Sequence, residues 1–122
     1  MPRWLADLGR PEPALTAIED AVRVYRDLAQ ARPDAFLPDL AQAMTTLGIH
    51  LTDLANYDEA LATDRHVVKL YLRLIASDPE RYAASVQDAL NNVVIDLRDL
   101  GRDEDQIQQE IERLLADSVE GE

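Results

Sequence analysis

The chain repeats itself. Laid against itself without gaps at an offset of 46 residues, Leu5 to His50 falls on Leu51 to Asp96. Eleven of those 46 pairs are identical: Leu5/Leu51, Asp7/Asp53, Leu8/Leu54, Ala14/Ala60, Leu15/Leu61, Val22/Val68, Tyr25/Tyr71, Leu28/Leu74, Pro33/Pro79, Ala43/Ala89 and Ile49/Ile95. About three or four would arise by chance in an Ala- and Leu-rich chain. The register continues through Leu51/Leu97, Asp53/Asp99, Leu54/Leu100 and Leu61/Ile107. A unit of this size cannot bury its apolar face alone, so successive copies must stack on a shared core. The copies run over 5–50, 51–96 and a partial 97–119, and the 122 residues fit one domain.

Within each copy the apolar residues recur at three- and four-residue steps, as in Leu40, Met44, Leu47, Leu51 and Leu54. That spacing is one face of an α-helix, and no stretch alternates with period two. Breakers separate the segments at Gly9 to Pro13, Arg32-Pro33-Asp34, Ala55-Asn56, Ser77-Asp78-Pro79 and Gly101-Arg102. The expectation is all-α, with helices over 13–31, 36–54, 58–77, 80–100 and 103–118, preceded by a helical stub at 3–8. Tyr25 with Tyr71 and Phe36 with Tyr82 fall in equivalent slots, which predicts interior packing between units.

The stretch Met44-Thr45-Thr46-Leu47-Gly48-Ile49-His50-Leu51-Thr52-Asp53-Leu54-Ala55-Asn56-Tyr57-Asp58-Glu59-Ala60-Leu61 resembles the core of the tetratricopeptide repeat, a Leu-Gly pair, a turn and an Ala-Leu pair at fixed spacing. Glycine inside a helix costs about 1 kcal/mol relative to alanine. Gly48 therefore needs a packing reason, such as close approach of the neighbouring helix, with Ala60 and Ala14 as the small partners. The usual repeat of the family is shorter, and the extra residues fall around Pro33 and Pro79. The unit is thus similar to long-helix variants such as those of kinesin light chains and bacterial regulatory proteins. Val94 stands where the next copy would carry its glycine and Gln106 replaces the small alanine, so packing there should be looser or differently angled.

The resemblance implies a right-handed α-α superhelix of stacked antiparallel hairpins, in which the first helix of each pair lines a concave groove. Carried onto this chain, the groove residues are Gln42, Thr45, Thr46, Ile49 and Thr52 on one helix, and Asp88, Asn91, Asn92, Ile95 and Arg98 on the other. The function it implies is protein–protein scaffolding. Asn91 and Asn92 both donate and accept hydrogen bonds, which suits an extended peptide backbone. Family members that clamp a peptide's terminal carboxylate use lysine and arginine in these slots, where this chain offers only Arg98.

A net charge of −12, from 24 acidic and 12 basic residues, repels nucleic acid and favours a basic or mixed-charge protein partner. The basic residues are spread along the sequence, with Lys69 the only lysine. No apolar run is long enough to span a membrane and no secretory leader is legible, so the reading is intracellular, in the cytoplasm. With no cysteine, disulfides and thiolate chemistry are absent.

Catalytic patterns are also missing. His50 and His66 are the only histidines, lie on different helices and are replaced by Asp96 and Asp20 at the repeat offset. No metal-protease, phosphate-loop or calcium-loop motif occurs. Asp103, Glu104 and Asp105 open a helix, where carboxylates cap the positive end. No cofactor or metal is expected, and the chain reads as non-enzymatic. Two alternatives to the groove stay open: self-association through exposed solenoid ends near Trp4 and Val24, and a fragment of a larger regulator.

Overall fold

The computed structural model describes residues 12–120, with side chains described over 13–116. Those residues form five α-helices and no strand: α1 Glu12–Ala31, α2 Pro33–Asp53, α3 Tyr57–Ser77, α4 Pro79–Asp99 and α5 Glu104–Glu120. The expected stub at 3–8, with Trp4 and Leu5, lies outside the described residues. α2 begins at Pro33, three residues before the apolar periodicity does, because proline at the first helical position has no N–H to leave unsatisfied.

The turns are of two kinds, and each kind recurs 46 residues later. In the tight kind, a single residue, Arg32 or Asp78, lies extended between helices (φ −141° and −148°). The proline that follows each one forces that conformation. Arg32 and Asp78 donate their N–H groups to the carbonyls of Leu28 (2.8 Å) and Leu74 (3.1 Å). In the wide kind, Asn56 N–H donates to Leu51 O and Ala55 N–H to Thr52 O, and the same pair of bonds joins Arg102 to Leu97 and Gly101 to Arg98. This is the paired closure of a helix end by a left-handed residue. The left-handed residues are Ala55 (φ +60°) and Gly101 (φ +83°).

Short turns make successive helices antiparallel, and α1 packs on α2, α2 on α3 and α3 on α4. Their facing stripes supply the core: Leu40, Met44 and Leu51 from α2, Val67, Val68, Tyr71 and Leu74 from α3, and Ala89, Val93 and Leu97 from α4. Several equivalent residues share environments. Leu51 and Leu97 are both buried, as are Val68 and its counterparts Val22 and Leu114, while Leu47 packs on the cluster that contains Val93. Tyr71 and Tyr82 meet across α3 and α4 with ring centroids 6.2 Å apart and planes tilted by 35°.

The third copy departs from the pattern where the sequence does. α5 packs only lightly on α3 and α4. Gln106 is exposed where Ala60 is fully buried. Its carbonyl accepts the Asp103 N–H (2.9 Å) while the Asp103 carboxylate accepts the Gln106 N–H (2.8 Å), a reciprocal capping box. The expected capping role of the acidic cluster thus falls to Asp103. Glu110 joins α5 to α3 through an ion pair with Arg65. At the other end of the stack, Val24 and Leu28 are 56% and 37% exposed, where their counterparts Leu70 and Leu74 are 4% and 8%.

Left-handed backbone costs a non-glycine residue about 1–2 kcal/mol. A β-carbon added at Gly101 would meet nothing within 4 Å, so backbone strain is its whole cost. Replacing Ala55 by glycine should therefore raise the unfolding free energy by about 0.5–1 kcal/mol after the entropy of the freer unfolded chain is deducted, and Gly101→Ala should lower it by a similar amount. Chemical denaturation of the two variants measures both, and equal signs would refute the assignment.

Candidate functional site

α2, α3 and α4 enclose a hollow of about 180 Å³. Gly48, Ile49, Thr52 and Asp53 line it from α2, Asp64 from α3, and Asn92, Ile95 and Asp96 from α4. Helical spacing explains the grouping, because residues three and four apart share a face. Ile49 and Ile95, which are equivalent positions of two copies, are 52% and 49% exposed and form its apolar margin. Asp64 and Asp96 are buried and form its acidic floor.

The two carboxyls act as one unit. Burial, then a hydrogen bond to Asp96, then the negative charge of Asp96 push the Asp64 carboxyl up to about 9 from its ordinary 3.8. Burial also raises Asp96, against the opposing pull of hydrogen bonds from Asp64 and Thr52. Like charges in so dry a place cannot both ionise. At neutral pH Asp64 keeps its proton and shares it with Asp96. The Thr52 hydroxyl, with one proton, divides it between Gly48 O (3.0 Å) and Asp96 Oδ1 (3.3 Å). Apart from the neighbouring acid, no donor among the described residues reaches the buried Asp96 Oδ2. Neither carboxylate is in any ion pair with arginine or lysine among the described residues.

Gly48 makes room for this arrangement. A β-carbon on Gly48 would collide with Asp64 Oδ1 and lie 3.1 Å from its Cγ. The close approach expected from the Leu-Gly pair is therefore that of a buried carboxyl, and the nearest atoms belong to Asp64 rather than to the backbone of the neighbouring helix. Ala60, one turn before Asp64 on α3, is fully buried in the same packing.

Of the ten expected groove residues, the structure brings Ile49, Thr52, Asn92 and Ile95 together at the hollow. Gln42, Thr46, Asp88 and Asn91 lie exposed on α2 and α4. The Thr45 hydroxyl donates to Ala41 O (2.8 Å), and Asn91 accepts from Gln87 (3.3 Å). The exposed Arg98 guanidinium pairs with Glu104 at the start of α5 (3.2 Å).

Asp64 and Asp96 escaped the sequence reading. At the repeat offset Asp64 faces Ile18 and Glu110, and Asp96 faces His50, so nothing in the self-alignment marks them. The available signal was phase: Asp64 lies three residues before buried Val67 and Asp96 three after buried Val93. Among 24 acidic residues that is a faint mark.

The basic residues, spread in sequence, are partly gathered in space. A second hollow of about 400 Å³ is lined by Arg26, His66 and Arg73 together with Leu37, Leu40 and Leu70. Burial, Arg26 and Lys69 together lower the pKa of His66. His50 is hydrogen-bonded at Nδ1 to Thr46 O (3.1 Å). Among the described residues, no three histidine or carboxylate side chains are placed to hold a metal ion.

A proton-sharing carboxyl pair is also a device of acid–base enzymes. The hollow of about 180 Å³ is smaller than the about 300–1,000 Å³ of sites that take whole small molecules. Comparisons with protein-family models, curated proteins and solved structures give no match.

Two consequences are measurable. Gly48→Ala should destabilise the fold by about 1–3 kcal/mol although alanine is the better helix former. In an Asp64→Ala background the same change should become stabilising, and a double-mutant cycle showing no coupling would remove Asp64 as the cause. The second concerns pH. A folded-state pKa of about 9 against 3.8 unfolded means that the native state binds the extra proton between those values. Stability should fall as pH rises from about 4 to about 9. Asp64→Asn should flatten that slope, and unchanged slopes in urea titrations would contradict the buried proton.

Proposed function

We propose that the chain is a protein-binding scaffold of the tetratricopeptide type, a right-handed superhelix whose first helices, α2 and α4, line a concave groove for an extended segment of a partner protein. One observation carries this reading above the rest: two equivalent isoleucines and two polar side chains, Thr52 and Asn92, converge on one hollow between those helices. The recurrence of both turn types at the 46-residue offset supports the repeat architecture.

The net charge of the chain favours a basic or mixed-charge partner and disfavours nucleic acid. No helix among the described residues is long and apolar enough to cross a membrane. The scaffold works without a cofactor, without catalysis of its own, and in the cytoplasm.

Self-association is the second reading, and the exposed Val24 and Leu28 favour it. Their buried counterparts one repeat later, Leu70 and Leu74, lie beside residues of α1 and α2 in the preceding copy, so the uncovered flank of α1 offers a seat for a helix. A fragment of a larger regulator would present the same flank.

Replacing Asn91 and Ile95 together by alanine tests the groove. Both are exposed, so the melting temperature should not change, while affinity for a partner isolated from the source cell should fall about tenfold or more. Normal binding by that variant, with loss on changing Val24, would transfer the function to the end of the stack. Sedimentation at several concentrations reads self-association directly.

A further inference from the structure

We propose that the hollow of about 400 Å³ between α1, α2 and α3 binds a small amphiphilic carboxylate, its head held by Arg26 and Arg73 and its apolar body on Leu37, Leu40 and Leu70. The site shares no residue with the hollow between α2 and α4, so it stands independently of the groove reading.

Helical phase assembles it. Arg26 and Gln30 lie one turn apart on α1, Leu37 and Leu40 on α2, and His66, Leu70 and Arg73 on α3. The three leucines are buried, whereas Arg26, His66 and Arg73 are exposed. An apolar floor under a cationic rim is the complement of a hydrocarbon that ends in an anion.

Charge is the second argument. The chain carries 24 acidic residues, yet none lines this hollow. Among the described residues Arg26, Lys69 and Arg73 are in no ion pair, whereas Arg23, Arg65, Arg98 and Arg113 each meet a carboxylate. Stacking does not demand these cations. At the repeat offset Arg26, His66 and Arg73 correspond to Leu72, Glu112 and Val119, and in the preceding copy Asp20 and Asp27 stand at the positions of His66 and Arg73.

Size and desolvation choose the ligand. About 400 Å³ lies within the range of sites that take whole small molecules, about 300–1,000 Å³. A guanidinium fork meets a planar carboxylate with two parallel hydrogen bonds. A phosphate monoester offers similar oxygens, but its second charge is costlier to desolvate beside three buried leucines. His66 adds a neutral donor, since burial, then Arg26, then Lys69 hold its pKa below the ordinary 6.5. The charged groups that act on His66 or line the hollow with it are Arg26 from α1 and Lys69 and Arg73 from α3, while α2 contributes Pro33 and the two leucines. A bound carboxylate favours the imidazolium, so the His66 pKa rises on binding.

The test titrates sodium octanoate into the full chain, with leucine methyl groups and the His66 ring observed by NMR. Saturable shifts at Leu37, Leu40 and Leu70 are expected, together with the rise of the His66 pKa. Affinity should grow about two- to fourfold per methylene from butyrate to octanoate. Octanamide, which keeps the chain and loses the charge, should bind at least about tenfold more weakly. Arg26→Gln and Arg73→Gln should each weaken octanoate about tenfold, while Lys69→Gln, outside the lining, should change it by less than about threefold.

A flat titration, an affinity indifferent to chain length, octanamide binding as tightly as octanoate, or a His66 pKa unmoved by saturating octanoate overturns the site. Normal octanoate binding by Arg26→Gln and Arg73→Gln does the same. Should either variant fail to fold, the comparison of octanoate with octanamide on the unaltered chain decides alone. Octyl phosphate binding more tightly than octanoate overturns the carboxylate head, and an acetylated Leu-Leu-Glu peptide amide binding more tightly overturns the small-molecule occupant in favour of a protein segment.

Discussion

Contact between Gly48 and Asp64 fixes how three helices meet. Because α2 has no β-carbon at that point, the Asp64 carboxyl of α3 can lie against its backbone and still reach Asp96 on α4. A carboxyl in so buried a place is tolerated only as the neutral acid or with a partner. The proton on Asp64 and the hydroxyl of Thr52 meet that requirement together, binding α2, α3 and α4 into one polar junction inside an otherwise apolar stack.

That junction also makes the floor of the hollow between α2 and α4. Its apolar margin comes from the repeat, since Ile49 and Ile95 are one position read twice. Its buried acids come from outside the repeat, since Asp64 is matched by Ile18 and Asp96 by His50, whereas the exposed Asp53 that also lines it is a repeated position. Periodic positions thus build the margin of the hollow, and the aperiodic Asp64 and Asp96 its buried acids.

The third copy illustrates the opposite trade. With Val94 in place of Gly48 and Gln106 in place of Ala60, α5 cannot approach α4 as α3 approaches α2. Glu110, in the slot of Asp64, is accordingly not drawn into a buried acid pair. It reaches Arg65 and, at 3.7 Å, Arg113. The same slot holds a neutral buried acid in one copy and an ion pair in the next, and the difference follows from how closely the helices pack.

The sequence by itself determined the helices, their boundaries within a few residues, the alternation of tight and wide turns, and the equivalence of residues 46 apart, because all of these depend on local spacing and on proline and glycine chemistry. It also grouped Ile49, Thr52, Asn92 and Ile95, which line one hollow. Only the tertiary structure decided that Asp64 and Asp96 share a proton, that Gly48 accommodates a carboxyl, and that Arg98 turns to Glu104. Those outcomes depend on the distance and rotation between helices far apart in sequence, and helical phase assigns a residue to a face without saying which atoms meet there.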